Sequence, residues 1–178
     1  MSPKATVALA SAAALAITVP AFAGSIGHED RMEMAAVAQA PVTPNHAIRI
    51  AETGGGTAYG YGMEATHGAQ WYEVDVLRGG AKLEVRIDPA TGKVLGSSAA
   101  KGEDAEGANA LDRGKLSFSE AVAKAEKAGH GRALEASAAG HGANAHVDVD
   151  VIQGKSIAHY RVSIQNGQIR TRVTGTSS

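Results

Sequence analysis

Apolar and polar residues alternate through Tyr72-Glu73-Val74-Asp75-Val76 and again through Leu83-Glu84-Val85-Arg86-Ile87. A period of two with one apolar face predicts two half-buried strands. Gly79-Gly80 between them fits the two-residue loop of a hairpin. The loop then fixes the register. Val74 faces Val85 and Tyr72 faces Ile87 on the buried side, while Glu73 faces Arg86 and Asp75 faces Glu84 on the wet side. Further along, Val147-Asp148-Val149-Asp150-Val151 and Tyr160-Arg161-Val162 repeat the pattern around Gly154-Lys155. There Val149 should face Tyr160, Val147 Val162, Asp148 Arg161 and Asp150 His159.

A helical period precedes each hairpin. Pro44, Ala47, Ile48 and Ala51 fall on one face, with Thr43 as N-cap and Pro44 at the first helical position. Thr53-Gly54-Gly55-Gly56 ends that helix. Phe118, Ala121, Val122 and Ala125 form the second such face; Ser117 and Glu120 make a capping box, and Gly129 and Gly131 should terminate it. One further strand is expected before each hairpin, over Tyr59–Thr66 and Arg132–Ala138, and a short edge at Lys93–Leu95.

The order helix, strand, hairpin thus occurs twice. The spacing of roughly 75 residues is too long for a solenoid unit. The predicted fold is α+β: two tandem small domains, each one helix packed on an antiparallel sheet of three to four strands. Domain 1 spans 42–98 and domain 2 spans 115–174, with a leader segment at 24–41 and a flexible, exposed linker at 99–114. Units this small bury thin cores and are marginal alone, unless the copies pack together.

Residues 1–23 read as a signal peptide: Lys4, an apolar stretch from Val7 to Val19, and Ala21-Phe22-Ala23 as the cleavage motif between Ala23 and Gly24. The apolar stretch is short for a membrane span, and no second one follows, so a periplasmic or secreted protein without a transmembrane segment after signal removal is expected. The chain has no cysteine, which excludes disulfides and thiol chemistry. The formal net charge is −1, and no basic stripe with interleaved aromatics supports nucleic-acid binding.

With Ser/Thr-capped helices, Tyr72-Glu73-Val74, Leu83-Glu84-Val85 and Asp88-Pro89-Ala90-Thr91-Gly92-Lys93-Val94-Leu95, the chain resembles the PepSY domain family. Copy two resembles it less closely, because Gln165-Asn166-Gly167 replaces the longer turn. Copy one departs at His46, where the family has Glu, and at its triple glycine. The resemblance implies a helix on an antiparallel sheet, an exported or membrane-associated bacterial protein, and a role in inhibiting or regulating peptidases. It supplies no catalytic residue.

No H-E-x-x-H, G-x-S-x-G, P-loop or G-x-G-x-x-G occurs. The histidines, among them His130, His141, His146 and His159, show no zinc-ligand spacing. No catalytic, cofactor-binding or metal site is therefore assigned, and no cofactor is expected. Trp71 adjoins core Tyr72 on a strand, so it points to the opposite face as a candidate partner contact. The reading is a non-enzymatic exported binding or regulatory protein. Its partner would be an exported or membrane protein such as an envelope peptidase. The alternative is a small-molecule or metal-sensing periplasmic protein.

Overall fold

The computed structural model describes residues 26–66, 68–100 and 106–171. The expected signal peptide and its cleavage pair Ala23 and Gly24 lie outside these residues, as does the end of the second predicted domain. The fold is α+β. Helix α1 spans His28–Gln39 and α2 Pro44–Glu52. Strands β1 (Thr57–Thr66), β2 (Ala69–Arg78), β3 (Ala81–Ile87) and β4 (Val94–Ala99) follow. The second half repeats the order: α3 (Glu106–Leu111), α4 (Phe118–Gly129), β5 (Ala133–Ala139), β6 (His146–Gln153), β7 (Ser156–Ser163) and β8 (Ile169–Thr171).

Both hairpins hold the registers read from the alternating pattern. Tyr72 faces Ile87, Glu73 Arg86, Val74 Val85 and Asp75 Glu84. Val147 faces Val162, Asp148 Arg161, Val149 Tyr160 and Asp150 His159. Both caps also form: Thr43 Oγ1 accepts from the His46 amide at 3.3 Å, and Ser117 and Glu120 close a capping box. Tyr72, Val74, Val76, Val147, Val149 and Val151 are buried against the apolar faces of α2 and α4.

The sequence anticipates a separate sheet in each copy. Instead all strands form one antiparallel eight-stranded sheet in the order β4-β3-β2-β1-β5-β6-β7-β8. β1 and β5 join it by pairing Gly60 with Ser137, Tyr61 with Ala136 and Gly62 with Glu135. Each strand would otherwise present an unpaired edge, and mutual pairing satisfies both. The seam is close to two-fold. Ala58 and Ala133 each precede a register shift, Ala58/Gly60 in one copy and Ala133/Glu135 in the other. Tyr61 and Ala136 therefore hold equivalent places, and they face each other.

The same devices recur on either side. The Glu52 carboxylate accepts the Ala58 amide at 3.1 Å, and Glu126 accepts that of Ala133 at 3.0 Å. Each ties a helix end to the strand that follows. Arg78 donates to the Ala51 carbonyl at 3.0 Å, and Gln153 to that of Gly129 at 2.8 Å, so the last residues of β2 and β6 cap the helix C-termini.

The linker is a second correction. Within 99–114, Ala99 extends β4 and residues 106–111 form α3, whose Ala108, Ala110 and Leu111 are buried. Short alanine side chains gave no visible periodicity, yet they allow a helix to approach the sheet closely. α1 packs on β1 and β5, and α3 packs on the same two strands. The ties are reciprocal. Arg132, just before β5, donates to the carbonyls of Val37 and Ala40 at 2.8 and 2.7 Å. Thr57, at the equivalent place in copy one, donates to Asp112 at 3.0 Å. Each copy thus holds the helix that introduces the other.

The end of α4 differs in detail. The left-handed residue is His130, at φ 50°, and not a glycine. Gly131 is needed for another reason: a Cβ there would sit 1.9 Å from the Ile152 carbonyl oxygen. His130→Gly should therefore stabilise the protein by about 0.5–1 kcal/mol in urea unfolding, since a non-glycine left-handed residue costs about 1–2 kcal/mol and glycine returns part of that as unfolded-state entropy.

One sheet over one buried cluster should unfold as one unit. The single tryptophan, Trp71, reports copy one. Its fluorescence and the methyl NMR signals of Val149 in copy two should lose native character at the same urea concentration. Separated midpoints would show that the copies unfold independently.

Candidate binding surfaces

Two strands end the sheet, β4 and β8. Every residue of β4, Val-Leu-Gly-Ser-Ser-Ala, is exposed and none is charged. The exposed large apolar side chains of the described residues lie on these two strands: Val94 and Leu95 on β4, and Ile169 on β8. β4 pairs with β3 from Leu83↔Ala99 to Ile87↔Val94, with an irregularity at Leu95 between Gly96 and Val94. Its outer backbone groups from Gly96 to Ala99 follow regular ladder geometry. β8 has only three residues and carries Arg170 at its centre. Natural sheets blunt their edges with charge, short length or bulges. β8 uses the first two, and β4 uses a bulge at one end only.

Trp71 lies on the face opposite Tyr72, as the alternation requires, but it is half-buried. The Arg86 guanidinium covers its ring at 5.2 Å, and the indole N–H donates to Glu73 at 3.4 Å. Arg86 was expected to pair with Glu73, and its Nε lies 3.8 Å from that carboxylate. Its closer contact is Glu84, at 2.7 Å. Glu84 faces Asp75 across the hairpin, so negative charge concentrates there and draws the guanidinium. In copy two, Arg161 grips Asp148 through two bonds of 2.8 Å each, and His159 Nδ1 lies 2.5 Å from Asp150.

A cleft of ≈380 Å³ opens at the seam, where Gly60 and Gly62 carry no side chain. Glu33, Glu64, Glu73, Asp75 and Glu135 line it. Burial, reinforced by Glu64, Asp30, Glu29 and Glu135, pushes the Glu33 carboxyl up to about 7. Glu29, Asp30 and Glu33 form an acidic run in the sequence of the leader, but nothing along the chain shows that Glu64 and Glu135, from distant strands, join it at the cleft. Among the described residues, no group of three or more His, Asp or Glu is gathered so as to hold a metal ion. His130 serves as the helix cap, His146 lies 3.5 Å from Asp148, and His159 bonds Asp150.

Residues 35–97 match the family model of the peptidase propeptide and YPEB domain, PepSY. Residues 35–97 form a PepSY domain. The matched segment runs from within α1 to within β4, and so includes the end of the leader helix. PepSY domains are propeptide-type regulatory modules, and no catalytic family is indicated. Among curated proteins none matches the chain significantly. A crystal structure of a candidate lipoprotein from Clostridium difficile 630 aligns over 79% of this chain and 99% of that one, with a TM-score of 0.43 and 18% identity. Among the described residues no helix is long and apolar enough to cross a membrane.

The raised Glu33 carboxyl gives a pH dependence with a definite sign. Below its ordinary value of 4.5 both folded and unfolded chains hold the proton, and the acidic crowding costs nothing. As pH rises through about 7 the folded protein must ionise Glu33 among like charges, and stability is lost. Glu33→Gln should stabilise the fold by about 1 kcal/mol at pH 8, after allowance for solvent screening, and by nothing measurable at pH 4. Urea unfolding at the two pH values checks this.

Proposed function

We propose that the protein is a non-enzymatic, exported binding or regulatory protein built from two PepSY-like halves, residues 42–98 and 115–174. It engages a partner of the cell envelope, with a peptidase as the class the family favours. The recognition mode is strand addition: an extended segment of the partner pairs with β4. The observation that carries this reading is the state of β4. It ends the sheet, all six of its residues are exposed, and it offers unpaired backbone groups beside Val94 and Leu95 without any charged guard. Main-chain bonds would fix the direction and register of the added strand, and burial of Val94 and Leu95 would supply most of the affinity.

Export is supported by the N-terminal pattern of Lys4, the apolar stretch and Ala21-Phe22-Ala23. A regulatory role is supported by the PepSY match and by a sequence without a recognisable catalytic motif. Trp71 sits two strands in from β4, under its own Arg86, so it supports the edge from behind more readily than it meets a strand added there.

Successive amides along a strand point alternately inward and outward. One of Ser97→Pro and Ser98→Pro therefore removes an outward donor. Leu95→Lys adds a charge at the edge without touching the ladder. Pull-downs from an envelope extract should retain a partner with the wild-type chain and lose at least tenfold of it with Leu95→Lys and with one proline variant, each checked for native circular dichroism. Equal retention by all forms, or none by any, refutes the edge as the docking site.

A further inference from the structure

The open face of copy two carries a feature that copy one lacks. β7 and β8 place Arg161 directly opposite Arg170. Like charges facing each other across a strand pair repel. Arg161 is neutralised from its other side, where Asp148 takes its Nε and one Nη at 2.8 Å each. Arg170 is exposed and has no acidic partner among the described residues. Arg161 and Arg170 both line a cleft of ≈310 Å³.

The rest of the lining is a set of neutral polar groups. Asn144, Ser163, Asn166 and Gln168 contribute amides and a hydroxyl. Asn166 has its carbonyl oxygen occupied by the Gln168 backbone N–H at 3.0 Å, which leaves its amide N–H groups as donors. His146 stands at the far side. Its Nδ1 is 2.6 Å from the Asn144 carbonyl oxygen, and its Nε2 is 3.5 Å from Asp148. No carboxylate lines the cleft among the described residues.

Comparison of the copies shows that this donor set is not a by-product of the fold. The residue opposite Arg86, the counterpart of Arg161, is Gly96. The strand position matching His146 is held by Trp71, whose ring lies under Arg86. Copy one thus closes this place with an indole and leaves it without a second cation. Copy two opens it and adds Arg170.

We propose that the cleft between Arg161 and Arg170 binds an oxyanion, carboxylate or phosphate, carried on a small molecule or group. The bound anion would sit between the two guanidinium groups and relieve their repulsion. Arg170 would act as the principal charge, and Asn166, Gln168 and Ser163 as neutral donors. A volume of ≈310 Å³ lies at the small end of the range for ligand sites, roughly 300–1,000 Å³, and so suits a compact ligand. The site stands independently of strand addition at β4, since it lies at the opposite end of the sheet.

The test is an NMR titration of the ¹⁵N-labelled chain with inorganic phosphate, with acetate and with chloride at matched ionic strength. Saturable shifts confined to Ser163, Gln168, Ile169 and Arg170 are expected with phosphate or acetate and not with chloride. The tighter of the two identifies the chemical source of the anion. Arg170→Gln, and Arg170→Gly as the copy-one residue, should each weaken binding at least tenfold with the rest of the spectrum unchanged. Should Arg170→Gly perturb the strand, Arg170→Gln decides alone. Shifts that are linear, spread over the surface, equal in chloride or retained in Arg170→Gln would overturn the proposal.

Discussion

The pairing of β1 with β5 organises the molecule. It rests on three residue pairs, with Tyr61 and Ala136 at its centre. Across so short a ladder, main-chain bonds contribute only a few kcal/mol, at about 0.5–1.5 kcal/mol each. Side chains reinforce it. The Tyr61 hydroxyl donates to the Ala133 carbonyl at 3.3 Å, and its ring packs 5.6 Å from that of Tyr72. Tyr72 in turn donates to the Val42 carbonyl at 2.7 Å, just before α2. Arg132 reaches across to the end of α1. Each half is too small to bury a deep core alone, and the seam makes one core from two.

What was legible in the sequence follows from how local the rule is. Tyr72–Ile87 alternates cleanly because both strands are half-buried, and Gly79-Gly80 leaves a single register. The caps at Thr43 and Ser117 are read from within four residues. The seam was not legible. Gly60 and Gly62 carry no side chain to mark a face, and nothing local tells a strand which distant edge it will meet. Period two marks Tyr59 and Tyr61 as core, and both are buried, even though Tyr59 falls at the register shift of β1. α3 was hidden because an alanine-rich turn becomes a buried helix only when a sheet lies beneath it. Trp71 was placed on the correct face, but its cover, Arg86, comes from the next strand. Glu33 and Arg170 gain their meaning from neighbours on other elements, which no spacing along the chain reveals.

Duplication within one sheet constrains the buried side far more than the open one. Ala47 and Ala121, and Val74 and Val149, are the same residue in both copies, and Ile48 and Val122 differ by one methylene, because each must fill the same place between helix and sheet. The open faces have diverged in charge. Copy one gathers Glu64, Glu73 and Asp75 near the seam, with Glu33 above them at a raised pKa. Copy two adds Glu135 to the seam cleft, but it pairs Asp148 with Arg161 and Asp150 with His159 and leaves Arg170 over. The face therefore runs from acidic to basic across the strands while the fold beneath stays two-fold.

The two outer edges have diverged in the same way, and their energetics differ accordingly. A strand added to Gly96–Ala99 gains a handful of main-chain bonds, each worth about 0.5–1.5 kcal/mol net, against an ordering cost of about 1–2 kcal/mol per residue of the incoming chain. Backbone pairing alone therefore comes out near zero, and a flat neutral edge is not by itself a tight site. The difference must come from burying Val94 and Leu95, worth roughly 1.5–3 kcal/mol for each side chain fully covered. The apolar pair beside the bulge would set affinity, and the regular ladder that follows would set direction and register. β8 offers one such side chain, Ile169, and places Arg170 beside it, so the same arithmetic leaves that edge unsuited to strand addition and available for charge.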